Sequence, residues 1–294
     1  MKLFNSKKNY LFYFFKKFNQ EKLKNIAVKI IKIEFACIPS LGLVNFQNSG
    51  SHKDMNIKTF LKSTKTFYHY FDDINILVQK EQKLNFEKLR FLGIKQEKRM
   101  FQATNNINTQ KGLIFAYGII YYISLYSLTN HISFNSWSNL IKNFSKPLEK
   151  DFYFYKNKTP GEKIFIEYKI KGARGEALNG YKIVFNKAIP FLKKCLKKYP
   201  YLKKEEIYLC LLIFYLKEID DTTLISKIGY NQSQKIKQKA KILINYLLKK
   251  NFIFFKKKII KKNKYFKKKN ISPGGCADLC VITLFLFFIY SIEN

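Results

Sequence analysis

The sequence predicts an all-α fold, a single compact helical domain whose Gly-rich loops line a nucleotide site. Two observations predict the helices. From Glu21 onward apolar residues recur at three- and four-residue steps, the spacing of one helix face. Prolines 147, 160, 190, 200 and 273 each fall between such periodic segments. Residues 1–20 read as a lysine-rich N-terminal extension and residues 21–294 as the domain.

The elements follow in order. Leu84, Leu89, Leu92 and Ile94, with residues 97–103, form an amphipathic helix that runs into a loop at 104–108. Residues 112–128 and 207–216 are mostly apolar helices, and 236–248 repeat apolar residues at helical steps. The run 164–170 alternates well enough to be a strand, although no extended sheet is expected. The Lys256–Lys269 run is expected to be a solvated loop or helix face. Residues 279–292 are apolar on every side but short for a bilayer, which predicts a buried core helix, with a C-terminal anchor as the lesser alternative. The apolar run 10–15 is interrupted by Lys16 and Lys17 and no small-residue cleavage site follows, so no signal peptide is expected.

Five cysteines, without a C-x-x-C pair, fit free thiols in a reducing, cytoplasmic compartment and give no zinc site. The formal charge of +35 invites a nucleic-acid reading, yet only three basic residues are arginine. Lys, Asn, Ile, Phe and Tyr are over-used together and share AT-rich codons, which accounts for much of the excess. A purpose-built phosphate or base reader would use more of the arginine fork.

Glycine is scarce, and seven of the twelve fall within 42–54, 104–112, 172–176 and 272–279. The same segments carry His52, Lys53, Asp54, Lys111, Arg174, Glu176 and Asp278. Glycine lets a backbone approach a ligand closely, cations and amides hold phosphate, and carboxylates hold a divalent metal. Each segment also has a plain structural reading. Asp54 could cap a helix, Thr109 could cap the helix after it, Arg174 and Glu176 could pair on the surface, and Asp278 could complement a helix dipole. Ser272 suits an N-cap with Pro273 in the first turn.

In order along the chain, these segments resemble the triphosphoribosyl-dephospho-CoA synthase family from about Glu34 to Val281. The resemblance rests on Gly42-Leu43-Val44, Gly50-Ser51-His52-Lys53-Asp54-Met55, and Leu89-Arg90-x-Leu92-Gly93-Ile94 with Glu97 and Met100-Phe101. It continues through Ala103-Thr104, Asn108-Thr109, Lys111-Gly112, Gly161-Glu162, Arg174-Gly175-Glu176-Ala177, Asp221-Thr222 and Ser272-Pro273-Gly274-Gly275-x-Ala277-Asp278-Leu279. It implies an all-helical transferase that moves the triphosphoribosyl group of ATP to the 2′-hydroxyl of 3′-dephospho-CoA and releases adenine. The product is the prosthetic-group precursor for the acyl carrier protein of citrate lyase or malonate decarboxylase.

Cleaving a ribose–adenine bond implies an oxocarbenium-like transition state, which calls for a carboxylate near that carbon and a base for the hydroxyl. Asp54 and Glu176 are the candidates, with His52 as alternative base. Lys53, Lys111 and Arg174 would hold triphosphate or pyrophosphate. Gly50, Thr109, Gly112, Gly175, Ser272, Gly274 and Gly275 would line the substrates, and Asp221 and Asp278 would hold Mg2+. The chain departs from the family pattern at Ser40, Leu41 and Asn45 (for Lys, Pro and Asp), at Asn105, Asn106 and Gln110 (for two Gly and His), and at Thr223 and Lys227 (for Asn and Arg). Two other readings stay open: a lysine-rich nucleic-acid binder using residues 1–25 and 256–269, and a catalytically impaired homologue that only binds nucleotide.

Overall fold

The computed structural model describes residues 19–154, 159–249 and 251–293; most of the 1–20 extension lies outside them. Helices α1 (Gln20–Ala36), α2 (Ile57–Lys80), α3 (Phe86–Ala103) and α4 (Lys111–Thr129) come first. They are followed by α5 (Trp137–Phe144), α6 (Pro160–Tyr168), α7 (Gly172–Leu178), α8 (Ile189–Lys198) and α9 (Lys204–Glu218). The last four are α10 (Thr222–Ile228), α11 (Tyr230–Lys249), α12 (Phe252–Lys268) and α13 (Gly274–Glu293). No strand occurs among the described residues, and the all-α expectation holds.

Asparagine sets several helix starts. Asn19 accepts from the amide of Glu21 (2.9 Å), Asn85 from Lys88 (3.0 Å) and Asn251 from Phe254 (2.8 Å). Asn56 forms a reciprocal capping box with Thr59. Each side chain satisfies a donor that the helix leaves open, a contribution of about 1 kcal/mol per cap. The run 164–170 is not a strand. Residues 160–168 are α6, because Thr159 and Glu162 form a capping box with Pro160 in the first turn, and a short alternation cannot outweigh that start signal. The lysines from 256 to 268 lie on α12, whose Phe252, Phe255, Ile259 and Phe266 are buried.

Helices α4 and α13 pack against each other at the centre. Both are apolar on all sides, so they belong in the interior of a bundle. Phe285 meets the rings of Tyr117 (5.2 Å) and Tyr121 (6.0 Å), and Tyr121 stacks on Phe71 at 4.2 Å. These two buried phenols are satisfied: Tyr117 donates to the Ala27 carbonyl (3.0 Å) and Tyr121 to the Asn75 amide oxygen (2.9 Å). α4 and α13 are long and apolar enough to cross a membrane, and α13 is longer than the stretch 279–292 suggests, but most of each is buried inside the bundle. All five cysteines are buried and free. The arrangement sets the first turns of α4 and α13 side by side.

Candidate active site

A cavity of about 830 Å3 and a second of about 390 Å3 meet where α4 and α13 begin; Gly112, Thr223 and Asp278 line both. The shared wall depends on Gly112. A β-carbon there would lie 2.2 Å from Oδ2 of Asp278, so only glycine lets the carboxylate sit against the helix. Burial, and then the charges of Glu34 and Asp221, hold the Asp278 carboxyl well above the usual carboxylate range.

Opposite this wall is the loop before α2. Gly42 has φ +81°, and a β-carbon on it would fall 2.0 Å from the Ile271 carbonyl oxygen. Ser51 donates to the same carbonyl (2.6 Å), so the loop is fastened to the segment leading into α13. That fastening brings His52, Lys53 and Asp54 to the rim of the larger cavity. Nδ1 of His52 lies 3.8 Å from Asp54, whose side chain is 63% exposed against 17% for the histidine. Burial and the positive charge of Lys227 lower the His52 pKa, and Asp54 works the other way. The imidazole is therefore neutral near pH 7 and able to accept a proton. Lys227 donates to the Ser272 hydroxyl (2.6 Å), and Lys111 pairs with Glu97 (2.9 Å). Lys53, Lys111, Lys227 and Lys269 all line this cavity, as do Thr109, Ser272 and Gly274. The Thr109 hydroxyl is buried without a hydrogen-bond partner.

Glu176, Gly175, Asp221 and Gly275 line the smaller cavity. Burial raises the Glu176 pKa, which favours a protonated carboxyl. Asp221 is fully engaged in structure: Oδ1 accepts from the Leu224 amide (3.0 Å) and Oδ2 from the Cys276 amide (2.8 Å), tying the starts of α10 and α13 together. Burial still raises its pKa, with the two amides opposing.

Several expected site residues fall elsewhere. Gly50 does not line either cavity; at φ +63° it makes a tight turn in which a β-carbon would fall 2.3 Å from the Gly42 carbonyl oxygen. The 172–176 segment is helix α7 rather than a loop, so Arg174 and Glu176, two residues apart, project to different sides. Glu176 faces the smaller cavity, whereas Arg174 lines a third cavity of about 290 Å3. Its Nε lies 3.2 Å from Asp151, which Arg90 also reaches at 3.0 Å. Glu34, given no role from sequence, lines the larger cavity, and burial raises its carboxyl to about 8. The signal was present: Leu23, Ala27, Ile30 and Glu34 share one buried stripe of α1, where an acid is out of place.

A family model described as ATP:dephospho-CoA triphosphoribosyl transferase matches residues 20–294. The chain belongs to this family. A probable 2-(5″-triphosphoribosyl)-3′-dephosphocoenzyme-A synthase of Streptococcus equi subsp. zooepidemicus is 34% identical over 287 residues, covering 91% of this chain and 96% of that protein. A protein of the same printed name from Streptococcus mutans is 32% identical over 299 residues, covering 91% and 96%. Protein CitXG of Leuconostoc mesenteroides subsp. cremoris is 32% identical over 282 residues, which cover 91% of this chain and 59% of that protein. No solved structure matches. The chain is accordingly a triphosphoribosyl-dephospho-CoA synthase-type transferase.

For this triphosphoribosyl transferase the departures acquire physical meaning. Asn105 (φ +54°) and Asn106 (φ +62°) occupy the left-handed region, which asparagine tolerates best after glycine. Asn45 does not line the cavities; its Oδ1 accepts from the amides of Gln47 (2.9 Å) and Asn48 (3.2 Å), as an aspartate would. Gln110 is held by the Ser63 hydroxyl (2.6 Å). Lys227 keeps a cation at the cavity wall.

Proposed function

We propose that the chain transfers the triphosphoribosyl group of ATP to the 2′-hydroxyl of 3′-dephospho-CoA, releasing adenine. The product would serve as prosthetic-group precursor for an acyl carrier protein, that of citrate lyase or of malonate decarboxylase. The observation that carries this reading is the Asp278 carboxylate, seated on Gly112 at the wall common to a lysine-lined cavity and an acid-lined one. A reaction that separates a polyphosphate-bearing ribose from its base needs both environments at one point.

In this reading the triphosphate lies in the larger cavity, held by Lys53, Lys111 and Lys227. The first-turn amides of α4 and α13 and the unpartnered Thr109 hydroxyl add donors for phosphate oxygens. Among the described residues no three His, Cys, Asp or Glu side chains gather into a metal cage. Mg2+ commonly keeps waters and substrate phosphates with one or two carboxylates, and Asp278 fits that role. Asp221, with both oxygens committed to amides, positions the wall instead. When bound, Mg2+ would neutralise triphosphate charge.

Adenine occupies the smaller cavity, beside Glu176. As the C1″–N9 bond breaks, its electron pair leaves with adenine, and the protonated Glu176 supplies the proton that makes adenine a competent leaving group. The 2′-oxygen of dephospho-CoA forms the new bond to C1″, and neutral His52 takes its proton. The Asp54 charge, 3.8 Å away, stabilises the imidazolium, while Asp278, which burial keeps protonated until a cation stands beside it, ionises to steady the positive charge at C1″. Incubating the protein with ATP, Mg2+ and dephospho-CoA and separating free adenine by chromatography tests the reading. Adenine should appear only when both substrates are present; its absence, or release from ATP alone at the same rate, contradicts the transfer.

A further inference from the structure

The motif Leu89-Arg90-x-Leu92-Gly93-Ile94 with Glu97 takes no part in the two cavities described above. Its members 90, 93, 94 and 97 stand at helical i, i+3, i+4 and i+7 spacing, and all four line the third cavity of about 290 Å3. The chain has three arginines, and two of them meet at the mouth of this cavity. Asp151 receives Arg90 at 3.0 Å from α3 and Arg174 at 3.2 Å from α7. Lys111, paired with Glu97, borders both this cavity and the larger one. Among the residues that line the cavity, Arg90, Arg174 and Lys111 stand with Glu97 and Asp151, and the exposed Glu87 lies 3.9 Å from Nε of Arg90. The floor, by contrast, is apolar, formed by residues such as Leu89, Ile114, Ile119 and Leu148.

We propose that this third cavity is the arm subsite for dephospho-CoA, an inference that rests on the reading of the main site given above. The diphosphate would lie on Arg90 and Arg174, and the uncharged pantetheine arm would run along the apolar floor. A planar guanidinium suits a diphosphate because it presents paired donors to phosphate oxygens. The volume is at the low end for a whole ligand, as suits a subsite that holds one part of a longer molecule. Lys111 marks the passage: a ligand with its ribose hydroxyl at His52 crosses this residue to reach the arginines. ATP has no counterpart of the arm, so the subsite would distinguish the acceptor from the donor.

Gly93 gives a clean test. It is helical, and a β-carbon there would meet only the Tyr70 hydroxyl, at an ordinary 3.6 Å. Gly93→Leu therefore fills the cavity without backbone strain and with improved helix propensity. Isothermal titration of dephospho-CoA and of ADP, which is the same molecule without the arm, reads the subsite without turnover. Gly93→Leu should weaken dephospho-CoA about tenfold and ADP by less than about twofold. Arg90→Gln should weaken both by about tenfold, since each carries the diphosphate. An unchanged melting temperature excludes unfolding as the cause. The proposal is overturned if Gly93→Leu binds dephospho-CoA as the wild type does, if it loses ADP equally, or if Arg90→Gln affects neither ligand. A wild type that binds both ligands in this pattern yet releases no adenine would contradict the transfer reading and leave the subsite standing.

Discussion

At Gly112 one hydrogen atom decides whether a carboxylate can sit at the wall the two cavities share. In Gly112→Ala the new methyl group would occupy the place 2.2 Å from Oδ2 of Asp278, and the carboxylate would have to move. Alanine improves helix propensity by about 1 kcal/mol, so stability should be nearly preserved. Displacing a reacting group by about 1 Å costs about a hundredfold, and kcat/KM for adenine release should fall by that order. An active Gly112→Ala would show that Asp278 need not stand there. Glu34 makes a different point. Its carboxyl is raised from 4.5 to about 8, so the folded state holds a proton that the unfolded chain has already released between those values. The stabilising contribution is full below about pH 4.5 and is lost as pH rises toward 8. Glu34→Gln should therefore flatten the decline of melting temperature across that window, and its advantage over wild type should grow with pH. Equal slopes for the two proteins would contradict a buried, unpaired Glu34.

Among the elements, α10 and α13 begin on the same side chain. Asp221 accepts one amide from each helix, at 3.0 and 2.8 Å, so it caps two starts at once. Asp221→Ala should cost about 2–4 kcal/mol in urea unfolding, twice the usual loss for one cap. Asp221→Asn, which keeps one acceptor oxygen, should cost about half as much. A loss below 1 kcal/mol (about the value of a single cap) in the alanine variant would contradict the double role. This junction was only partly legible in the sequence. Asp221-Thr222 reads as a helix start, but the second amide, from Cys276, comes from a segment 55 positions away. Elements with strong local signals were legible: 112–128, 207–216 and 236–248 all lie within observed helices. The segment 164–170 was misread because four or five alternating residues fit either period, and the decisive signal lay upstream at Thr159 and Pro160. Glycine density likewise made 172–176 look like a loop, whereas Gly172 at φ +55° only starts α7.

On the scale of the whole molecule, the bundle acts as a holder for two helix starts. The apolar helices α4 and α13 bury their length in the core, and the polar residues at their first turns converge where the packing ends. Most of the residues singled out in the sequence line the two cavities, because glycines beside acids and bases are conspicuous in a glycine-poor chain. Their partition could not be read from the sequence. Which of Glu176, Arg174, Lys53 and Asp278 share a cavity depends on how α4, α7 and α13 pack, and side chains two residues apart on α7 ended in different cavities. The lysine excess, spread by codon usage and surface solvation, says little alone; Lys53, Lys111, Lys227 and Lys269 matter because the fold gathers them around one space. The central claim is that the wall of Gly112 and Asp278 is where the triphosphoribosyl group changes hands. It is tested most directly by Asp278→Asn, nearly the same size but unable to carry the charge. Adenine release with ATP, Mg2+ and dephospho-CoA should fall about a thousandfold while dephospho-CoA still binds. A folded Asp278→Asn that keeps its rate within about tenfold of wild type would place the chemistry elsewhere.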